Sequence, residues 1–540
     1  MTVFPKPKRA LFDTRKPVNR TSMFKRVLIA NRGEIALRVQ RTCREMGIET
    51  VAVYSDADRN ALHVRNADHA VRLGPGPSNE SYLVIEKIIE AAKQTGADAI
   101  HPGYGFLSEN AEFADAVANA SITFIGPPAE AMRALGGKIS ARKIMEEAGV
   151  PTVPGANDIS LDDFETAKRE ADRIGFPLLV KASAGGGGRG IRLVQTAEDL
   201  EGAMRASASE AASSFKDATI FLEKYVSPAR HIEVQIVADQ HGNVQAFGER
   251  ECSVQRRNQK LVEEAPSVAV TPEIRKRICD AAIAAAKSSG YRNAGTVEFL
   301  MDNDGNFYFL EVNARLQVEH PVSELVYGGV DLVALQLKVA AGEPVPDPDG
   351  PLNPVGWAME CRINGEDPFN NFVPSLGLVD FLQLPAGPGV RFDTMLFEGL
   401  DIPIFYDSLL GKLIVWGEDR PQAIERMKRA LKDLIVSGPI TNQAFHLELF
   451  DNEDFRNGDI YTSWLESNFT MPQLPEEDPR LDTALIAGGL AAGIIAGATA
   501  EGTARPIGLS RWVAASRSIA RRGIRVDGGR TGWRRGSASQ

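Results

Sequence analysis

Two acidic residues in one predicted hairpin carry the clearest chemistry in this sequence. Strand-like runs cover residues 296–301 and 307–312, and the Asp304-Gly305 pair between them favours a two-residue hairpin turn. That turn places Glu298 directly opposite Glu311, with their Cβ atoms about 5 Å apart. Two carboxylates at this distance repel each other unless a cation lies between them. The other face of the hairpin is predicted to pack against the core and carries Val297, Phe299, Leu310 and Val312.

An amide and a further run of polar residues continue the acidic face. Asn313 completes an oxygen-rich set with the two glutamates, which suits Mg²⁺ or Mn²⁺ bridging nucleotide phosphates; a solvated acidic pair is the alternative. Apolar residues then alternate with Arg315, Gln317 and Glu319. An extended chain would point these polar side chains into one groove. The mixture of cation, amide and carboxylate favours a binding groove over an ordinary amphipathic edge strand.

A glycine-rich segment is the second chemical signal. Gly185-Gly-Gly-Gly-Arg-Gly190 lies between two strand-like runs, and glycine lets backbone N–H groups approach phosphates closely. Lys181 before this segment and Lys138 after Gly136-Gly137 are predicted to supply positive charge. The spacing of a Walker loop is absent. A flexible hairpin loop is the alternative interpretation.

A third cluster is ambiguous when taken alone. Residues 249–260, followed by Glu263 and Glu264, are rich in charge, and they fit a solvated loop as well as they fit a site. Arg362 carries no signal by itself.

The order of strand-like and helical segments predicts the architecture that positions these residues. The first third alternates strands with helices, which indicates a doubly wound parallel sheet. From about residue 150 strand-like runs follow one another, as in an α+β region with antiparallel pairs. Five prolines within residues 342–354 indicate a linker, and residues 360–466 predict a further strand-rich unit with one strong helix.

Composition excludes several classes of protein. The chain has 540 residues, 43% hydrophobic and 24% charged, which is typical of a globular protein of several domains. Its four scattered cysteines form no C-x-x-C pair, so neither a disulfide framework nor a zinc cluster is expected. The net charge is −10 although residues 1–22 and 502–540 are basic, and this acidic body argues against nucleic-acid binding. No secretory signal is visible, and we expect a cytoplasmic location, or the mitochondrial matrix in a eukaryote.

One apolar run near the end of the sequence stands apart. Residues 483–500 are rich in Ala and Gly, and Gly489, Gly493 and Gly497 form a double G-x-x-x-G pattern. The run is short and weakly hydrophobic for a membrane span. We expect a helix that packs on a partner subunit, with a membrane anchor as the alternative.

Five segments together resemble biotin carboxylase, the ATP-grasp component of biotin-dependent acyl-CoA and pyruvate carboxylases. They are Ile29-Ala-Asn-Arg-Gly-Glu-Ile-Ala36, His101-Pro-Gly-Tyr-Gly-Phe-Leu-Ser-Glu-Asn110, Lys181 with its glycine-rich loop, residues 249–266, and Glu311-Val-Asn-Ala-Arg-Leu-Gln-Val-Glu-His-Pro321. The resemblance covers about residues 23–466. It implies a parallel-sheet N-terminal domain (23–136), an ATP-grasp domain (137–345) with a mobile lid at about 153–225, and a strand-rich C-terminal domain (355–468). A basic extension (1–22) and a tail (469–540) flank them.

The resemblance also implies a reaction and its participants. Biotin carboxylases use ATP and bicarbonate to carboxylate biotin, the first half-reaction of an acyl-CoA (acetyl or propionyl) or pyruvate carboxylase. The expected ligands are ATP, about two Mg²⁺ or Mn²⁺ ions, bicarbonate as substrate and biotin. No Met-Lys-Met tripeptide follows residue 466, so biotin is expected on a separate carrier protein.

Residue roles follow from the matching motifs. Nucleotide contacts are implied for Lys138, Lys181, Gly186, Gly187, Gly188, Glu223, Lys224, Val226, His231 and Gln255. Three residues resemble the metal ligands of the family: Glu298, Glu311 and Asn313. The residues that resemble its bicarbonate-binding site are Arg315, Gln317 and Val318, with Lys260 nearby. Glu319 resembles the general base that deprotonates bicarbonate, Arg362 the residue that stabilises the biotin enolate oxygen, and Tyr104-Gly105 would lie near the biotin ring.

Partners and competing functions are expectations of the same kind. We expect a biotin carboxyl carrier protein, carboxyltransferase subunits contacted through residues 469–540, and a homodimer, with neither nucleic acid nor membrane as a partner. The alternatives are another ATP-grasp ligase and a non-catalytic scaffold protein. The absence of a duplicated half and the presence of the Arg315, Gln317 and Glu319 set argue against the first, and an intact metal set argues against the second.

Overall fold

Five parallel strands form the first sheet, as the alternation of strand-like and helical segments predicts. The computed structural model describes residues 23–472 except 160, 162, 183–190, 216–217 and 348–352. The strands are β1 (Arg26–Ile29), β2 (Glu49–Ser55), β3 (His69–Gly74), β4 (Ala99–His101) and β5 (Thr123–Phe124), and the helices are α1 (Gly33–Glu45), α2 (Leu62–Arg65), α3 (Ile85–Thr95), α4 (Ala111–Asn119) and α5 (Ala129–Gly136). The order β3-β2-β1-β4-β5 makes the sheet doubly wound.

A small antiparallel sheet follows, in the order β6-β9-β7-β8. Its elements are α6 (Lys138–Glu147), β6 (Gly155–Ile159), α7 (Phe164–Ile174), β7 (Leu178–Ala182), β8 (Ile191–Val194), α8 (Leu200–Phe215) and β9 (Ile220–Lys224). One apolar cluster, to which α7, α8 and the inner faces of these strands contribute, forms its core. The glycine-rich segment between β7 and β8, with Gly186, Gly187 and Gly188, lies outside the described residues.

The next part of the chain builds most of a large antiparallel sheet. Its elements are β10 (Arg230–Ala238), β11 (Val244–Arg256), β12 (Gln259–Ala265), α9 (Pro272–Ser288), β13 (Asn293–Met301), β14 (Phe307–Asn313), α10 (His320–Val326), α11 (Leu332–Ala340) and β15 (Trp357–Asn364). The charged cluster at 249–260 therefore lies on two paired, largely buried strands, and the solvated-loop alternative is wrong.

The C-terminal part of the described chain completes this sheet with two of its strands. The strands of this part are β16 (Glu366–Asp367), β17 (Val373–Pro374), β18 (Gly377–Leu378), β19 (Phe381–Gln383), β20 (Val390–Thr394), β21 (Asp401–Ile402), β22 (Leu409–Gly417) and β23 (Ile435–Ser437), and the two in the sheet are β20 and β22. Its helices are α12 (Arg420–Asp433), α13 (Gln443–Asp451), α14 (Glu453–Asn457) and α15 (Trp464–Asn468). The sheet order is β14-β13-β10-β11-β12-β15-β22-β20, so β15 and β22 continue one sheet beyond the proline-rich tract.

The acidic hairpin β13–β14 has the predicted pairing but a different turn. Glu298 pairs with Glu311, as expected, yet residues 302–306 form a five-residue loop in place of the two-residue turn. Near this loop Phe299 pairs with Phe309, and a bulge at Leu310 then restores the register. Leu310 consequently lines the site cavity, and its predicted place on the packing face is wrong.

The described residues include no helix that is both long and apolar enough to cross a membrane. The apolar run at 483–500 and both basic ends lie outside the described residues.

Trp464 tests the packing of the C-terminal part. Its side chain is 1% exposed, belongs to the apolar cluster beneath β15 and β22, and donates from Nε1 to Asp454 at 2.9 Å. We expect Trp464→Ala to lower the free energy of unfolding by about 3–5 kcal/mol, because a large buried volume and a hydrogen bond are lost. Urea denaturation of the full chain measures the change. Ile404→Ala, at a side chain 72% exposed, is the control, and equal losses for the two variants would contradict the packing.

Candidate active site

A cavity of about 540 Å³ lies where the large sheet meets the small sheet and the start of α6. Most of the predicted site residues line it: Lys138, Lys181, Glu223, His231, Gln255, Lys260, Glu298, Glu311, Asn313, Arg315, Gln317, Val318 and Arg362. These residues come from several strands, from α6 and from the segment after β14. The cavity therefore exists only in the folded chain.

Charged side chains form a row across four neighbouring strands on the cavity face of the large sheet. Glu311 on β14 pairs in register with Glu298 on β13, and Glu298 pairs with Glu233 on β10. Glu233 in turn pairs with Arg250 on β11. Arg250 and Glu233 have no exposed surface, and Arg250 donates from Nε to Glu233 at 2.5 Å. The strand register thus places three carboxylates in a row, with the buried Arg250 guanidinium at its end.

Lys260 binds three carboxylates at once. Its Nζ lies 2.5 Å from Glu233 Oε2, 2.9 Å from Glu298 Oε1 and 2.7 Å from Glu319 Oε1. Burial favours a neutral lysine, but the three negative charges outweigh it and raise the pKa of Lys260 well above its ordinary value. The ammonium ion is therefore permanent, and it joins the predicted metal side of the site to the predicted base.

Glu319 lies behind the cavity wall, just before α10, and is completely buried. Its two oxygens accept hydrogen bonds from Lys260 and from Arg362 Nη2, the latter at 3.0 Å. Burial would raise the pKa of Glu319, but the charges of Lys260, Arg362 and Arg250 prevail and hold it well below the usual range. The carboxylate is therefore ionised at neutral pH and can accept a proton.

The planar guanidinium of Arg315 lies on the cavity wall and is held there by hydrogen bonds to neighbouring side chains. Its guanidinium donates to Glu109 at 2.9 Å, to Gln317 Oε1 at 2.8 Å and to Asn313 Oδ1 at 3.1 Å. The segment after β14 has no regular strand. Arg315 and Gln317 share the cavity as the alternation predicts, whereas Glu319, which was predicted in the same groove, does not line it. Val318 lines the cavity as well, which the alternation alone did not predict. A guanidinium and an amide side by side form a surface suited to a small planar oxyanion.

The acidic hairpin fits a divalent cation. Glu298 Oε1 accepts from Asn313 Nδ2 at 2.8 Å, and Glu298 Oε2 lies 3.2 Å from His231 Nε2. Burial, followed by the charge of Glu298, raises the pKa of Glu311. A cation between the two carboxylates would remove this repulsion, and hard oxygen ligands of this kind suit Mg²⁺ or Mn²⁺.

Two lysines converge on the other side of the cavity. Lys138 begins α6, and Lys181 lies near the end of β7 and forms an ion pair with Glu223. Burial, followed by the neighbouring charge of Lys181, lowers the pKa of Lys138. An anion between these ammonium groups would relieve their repulsion. This end of the cavity is therefore suited to phosphate.

Two of the predicted nucleotide contacts lie away from the cavity. Lys224 donates to the backbone oxygens of Gly175 and Phe176, at 3.1 Å each, so its ammonium group is turned towards the backbone. Val226, which follows β9, does not line the cavity either. Within the described part of the chain, neither side chain borders the space that a ligand would fill.

Three important residues were not singled out from the sequence. They are Glu109, which holds Arg315, Glu233, which binds both Lys260 and Arg250, and Lys412, which donates to Val318 O. One signal for Glu233 was available, because His231, Glu233 and Gln235 alternate with apolar residues in a strand whose two faces are both buried. Polar residues on a buried strand face require partners.

Comparisons with known proteins agree on one family. Family models match residues 23–132 (biotin carboxylase, N-terminal domain), 137–347 (carbamoyl-phosphate synthase L chain, ATP binding domain) and 360–467 (biotin carboxylase C-terminal domain). Biotin carboxylase 1 of Bacillus subtilis is 49% identical over 446 residues, which span 82% of this chain and 99% of that protein. A pyruvate carboxylase subunit of Methanothermobacter thermautotrophicus is 50% identical over 444 residues, 82% of this chain and 90% of that protein.

Solved structures show the same similarity. The Campylobacter jejuni biotin carboxylase in its β,γ-ATP complex has a TM-score of 0.78 at 47% identity and covers 83% of this chain and 99% of its own. The biotin carboxylase domain dimer of Hydrogenobacter thermophilus 2-oxoglutarate carboxylase, with MgADP, ADP and bicarbonate, has a TM-score of 0.76 at 46% identity. It covers 82% of this chain and 97% of its own.

Arg250 tests whether the row of charges also stabilises the fold. We expect Arg250→Met to lower the free energy of unfolding by about 3 kcal/mol or more, because Glu233 loses a buried positive partner. Chemical denaturation of the full chain measures it. Arg205→Met is the matched control, since Arg205 is 67% exposed and makes a surface pair with Glu201. A loss no larger than that of the control would contradict the structural role.

Proposed function

The chain belongs to the biotin carboxylase family, and we propose that its cavity carries out the ATP- and bicarbonate-dependent carboxylation of biotin. The observation that carries the proposal is Lys260, which lines the cavity and whose ammonium binds both Glu298 of the predicted metal set and, just behind the cavity wall, Glu319, the predicted base. Arg315 and Arg362 line the same cavity. In this arrangement the groups that would activate phosphate lie next to the group that would deprotonate a one-carbon acid.

The lysine end of the cavity suits the nucleotide. Lys138 and Lys181 would neutralise phosphate oxygens, and His231 and Gln255 line the same cavity. Glu298, Glu311 and Asn313 would hold Mg²⁺ or Mn²⁺, which when bound neutralises phosphate charge during transfer. Phosphoryl transfer depends mainly on positioning and on charge neutralisation. The donors around the cavity supply both.

Bicarbonate fits the surface made by Arg315, Gln317 and Val318. Arg315 would bind its oxygens from one side, while Glu319 accepts the proton of its hydroxyl group. As negative charge develops on the substrate, the hydrogen bonds of Lys260 and Arg362 are free to turn from Glu319 towards the new anion. Glu319 then becomes a stronger base at the moment the proton moves, because it loses the partners that keep its pKa low. The deprotonated oxygen attacks the γ-phosphorus of ATP and gives carboxyphosphate and ADP.

Arg362 is placed to serve the second step. Its guanidinium binds Glu263 and Glu319 on one side and borders the cavity on the other. We assign it to the ureido oxygen of biotin, where negative charge develops as the ring N–H gives its proton to the phosphate released with CO₂ from carboxyphosphate; the deprotonated nitrogen then attacks CO₂. Biotin would enter on a carrier protein.

Partners follow from relatives. One relative is named as part of a pyruvate carboxylase, another as a propionyl-CoA carboxylase alpha chain (Ruegeria pomeroyi, 47% identical), and one solved relative is a domain dimer. These support a separate carrier protein and a homodimer. The similarity to the pyruvate and propionyl-CoA enzymes is nearly equal, so acetyl-CoA, propionyl-CoA and pyruvate are the candidate final acceptors. The carboxyltransferase contact through residues 469–540 and the cytoplasmic location stay predictions.

One prediction concerns the reaction itself. Purified full-length protein should cleave ATP in the presence of Mg²⁺ only when bicarbonate is present, and free biotin should increase the rate. A coupled ADP assay with bicarbonate-depleted buffer and with biotin omitted measures both dependences. A rate of ATP cleavage that does not depend on biotin but increases with another acceptor would support a different ATP-grasp ligase.

Another prediction concerns the base. Glu319→Gln should reduce kcat by about 10²–10⁴-fold, because the amide cannot accept the proton of bicarbonate. Nucleotide binding should persist by calorimetry, since Glu319 lies away from the lysine end of the cavity. Glu425→Gln, which removes an exposed carboxylate on α12, is the control. Turnover at the wild-type rate in Glu319→Gln would eliminate Glu319 as the base.

A further inference from the structure

Two buried carboxyl groups face each other beside the catalytic arginine. Glu263 on β12 pairs in register with Glu360 on β15, so their side chains share one face of the sheet. Neither residue has any exposed surface. Glu263 Oε1 accepts from Arg362 Nε at 2.6 Å, whereas Glu263 Oε2 and both oxygens of Glu360 lack a hydrogen-bond partner among the described residues.

Three carboxyl oxygens without partners in a buried place require an explanation. An ionised carboxylate without hydrogen bonds is so costly to bury that the group takes up a proton instead. Carboxylates paired directly across strands have Cβ atoms about 5 Å apart, which is close enough for one proton to be shared. A protonated Glu360 that donates to Glu263 Oε2 gives a partner to one oxygen of each residue. It also leaves Glu263 ionised for Arg362.

The charges around Glu360 come from each element packed against it. They are Glu263 on β12, Arg362 on β15, Lys412 on β22, Glu319 before α10, and Tyr104 with Glu34 from the first domain. Lys412 already donates to Val318 O and lies 3.5 Å from Glu34 Oε1. Burial raises the pKa of Glu360 well above its ordinary value, the charge of Lys412 opposes this, and Glu263 adds to it. Burial likewise raises the pKa of Glu263, to about 7.

We propose that Glu360 is a positioning residue for the carboxylation step: its neutral carboxyl group hydrogen-bonds Glu263, and Glu263 fixes the guanidinium of Arg362. This inference rests on the proposed role of Arg362. With Glu360 neutral, the negative charge beside Arg362 is limited to Glu263 and Glu319, and the guanidinium retains attraction for an oxyanion. Ionisation of Glu360 at alkaline pH would add a buried negative charge there, so substrate anions would be repelled and the rate would fall.

The kinetic test compares two substitutions of Glu360. Glu360→Gln keeps a neutral donor, whereas Glu360→Met removes the donor at similar volume. The full chain is assayed for bicarbonate- and biotin-dependent ATP cleavage from about pH 6.5 to about pH 9.5, with Glu425→Gln as the control. We expect Glu360→Met to lose about tenfold to a hundredfold in kcat with little change in the KM for ATP, because Arg362 is displaced.

Glu360→Gln should retain neutral-pH activity within about threefold, and the alkaline decline of the wild type should be missing from it. An alkaline decline that is identical in wild type and Glu360→Gln would overturn the proposal. An equal loss in Glu360→Gln and Glu360→Met at every pH would overturn it as well.

A second measurement does not depend on the reaction. A carboxyl group whose pKa is raised by folding binds its proton more tightly in the folded state, so its contribution to stability declines as pH rises from about 4.3 towards the folded pKa. Glu360→Gln escapes this penalty, and its midpoint of thermal unfolding should exceed that of wild type by a margin that grows between about pH 5 and about pH 8. The infrared spectrum of wild type at neutral pH should also contain a carbonyl band of a protonated carboxylic acid that is missing from the spectrum of Glu360→Gln.

The two proposals fail in different ways. A wild type without that infrared band would overturn the inference even if neither variant folded. A wild type whose band is lost in Glu360→Gln, but which does not respond to bicarbonate and biotin, would instead overturn the proposed function and leave the neutral Glu360 intact.

Discussion

The ammonium group of Lys260 is the interaction on which the site depends. It binds carboxylates from β10, β13 and the segment before α10, which would otherwise repel one another across a few ångströms. In a largely buried place these charges are tolerated only because each has a close opposite partner. Arg250 and Arg362 extend the same principle on either side, so the cavity face is a network of paired ions.

Such a network is suited to catalysis because its partners can be exchanged. The ions are already paired with one another before a ligand arrives, so a substrate anion or a cation would replace an existing partner. The site has a positive end at Lys138 and Lys181 and an acidic pair at Glu298 and Glu311, and each end is under repulsion that a ligand of opposite charge relieves.

Parts of the fold and site that depend on short stretches of chain were predictable. The βαβ alternation and the Glu298–Glu311 pair arise from neighbouring strands, whereas Arg315 and Gln317 share the cavity although their segment forms no strand. The hairpin pairing was correct although the predicted turn was wrong, since the Leu310 bulge offsets the longer loop. The cluster at 249–260 could not be assigned, because a charged strand in the centre of a sheet has the composition of a surface loop.

By itself the sequence determined the classes of element, the acidic hairpin and, through several motifs together, the family. Only the tertiary structure decided that β15 joins β12 in one sheet, which brings Glu360 against Glu263 and Arg362 against Glu319, although these residues are far apart along the chain. The physical reason is that strand order in an antiparallel sheet is set by how the whole core packs. Charges meet where that packing puts them, and no local pattern of residues records it.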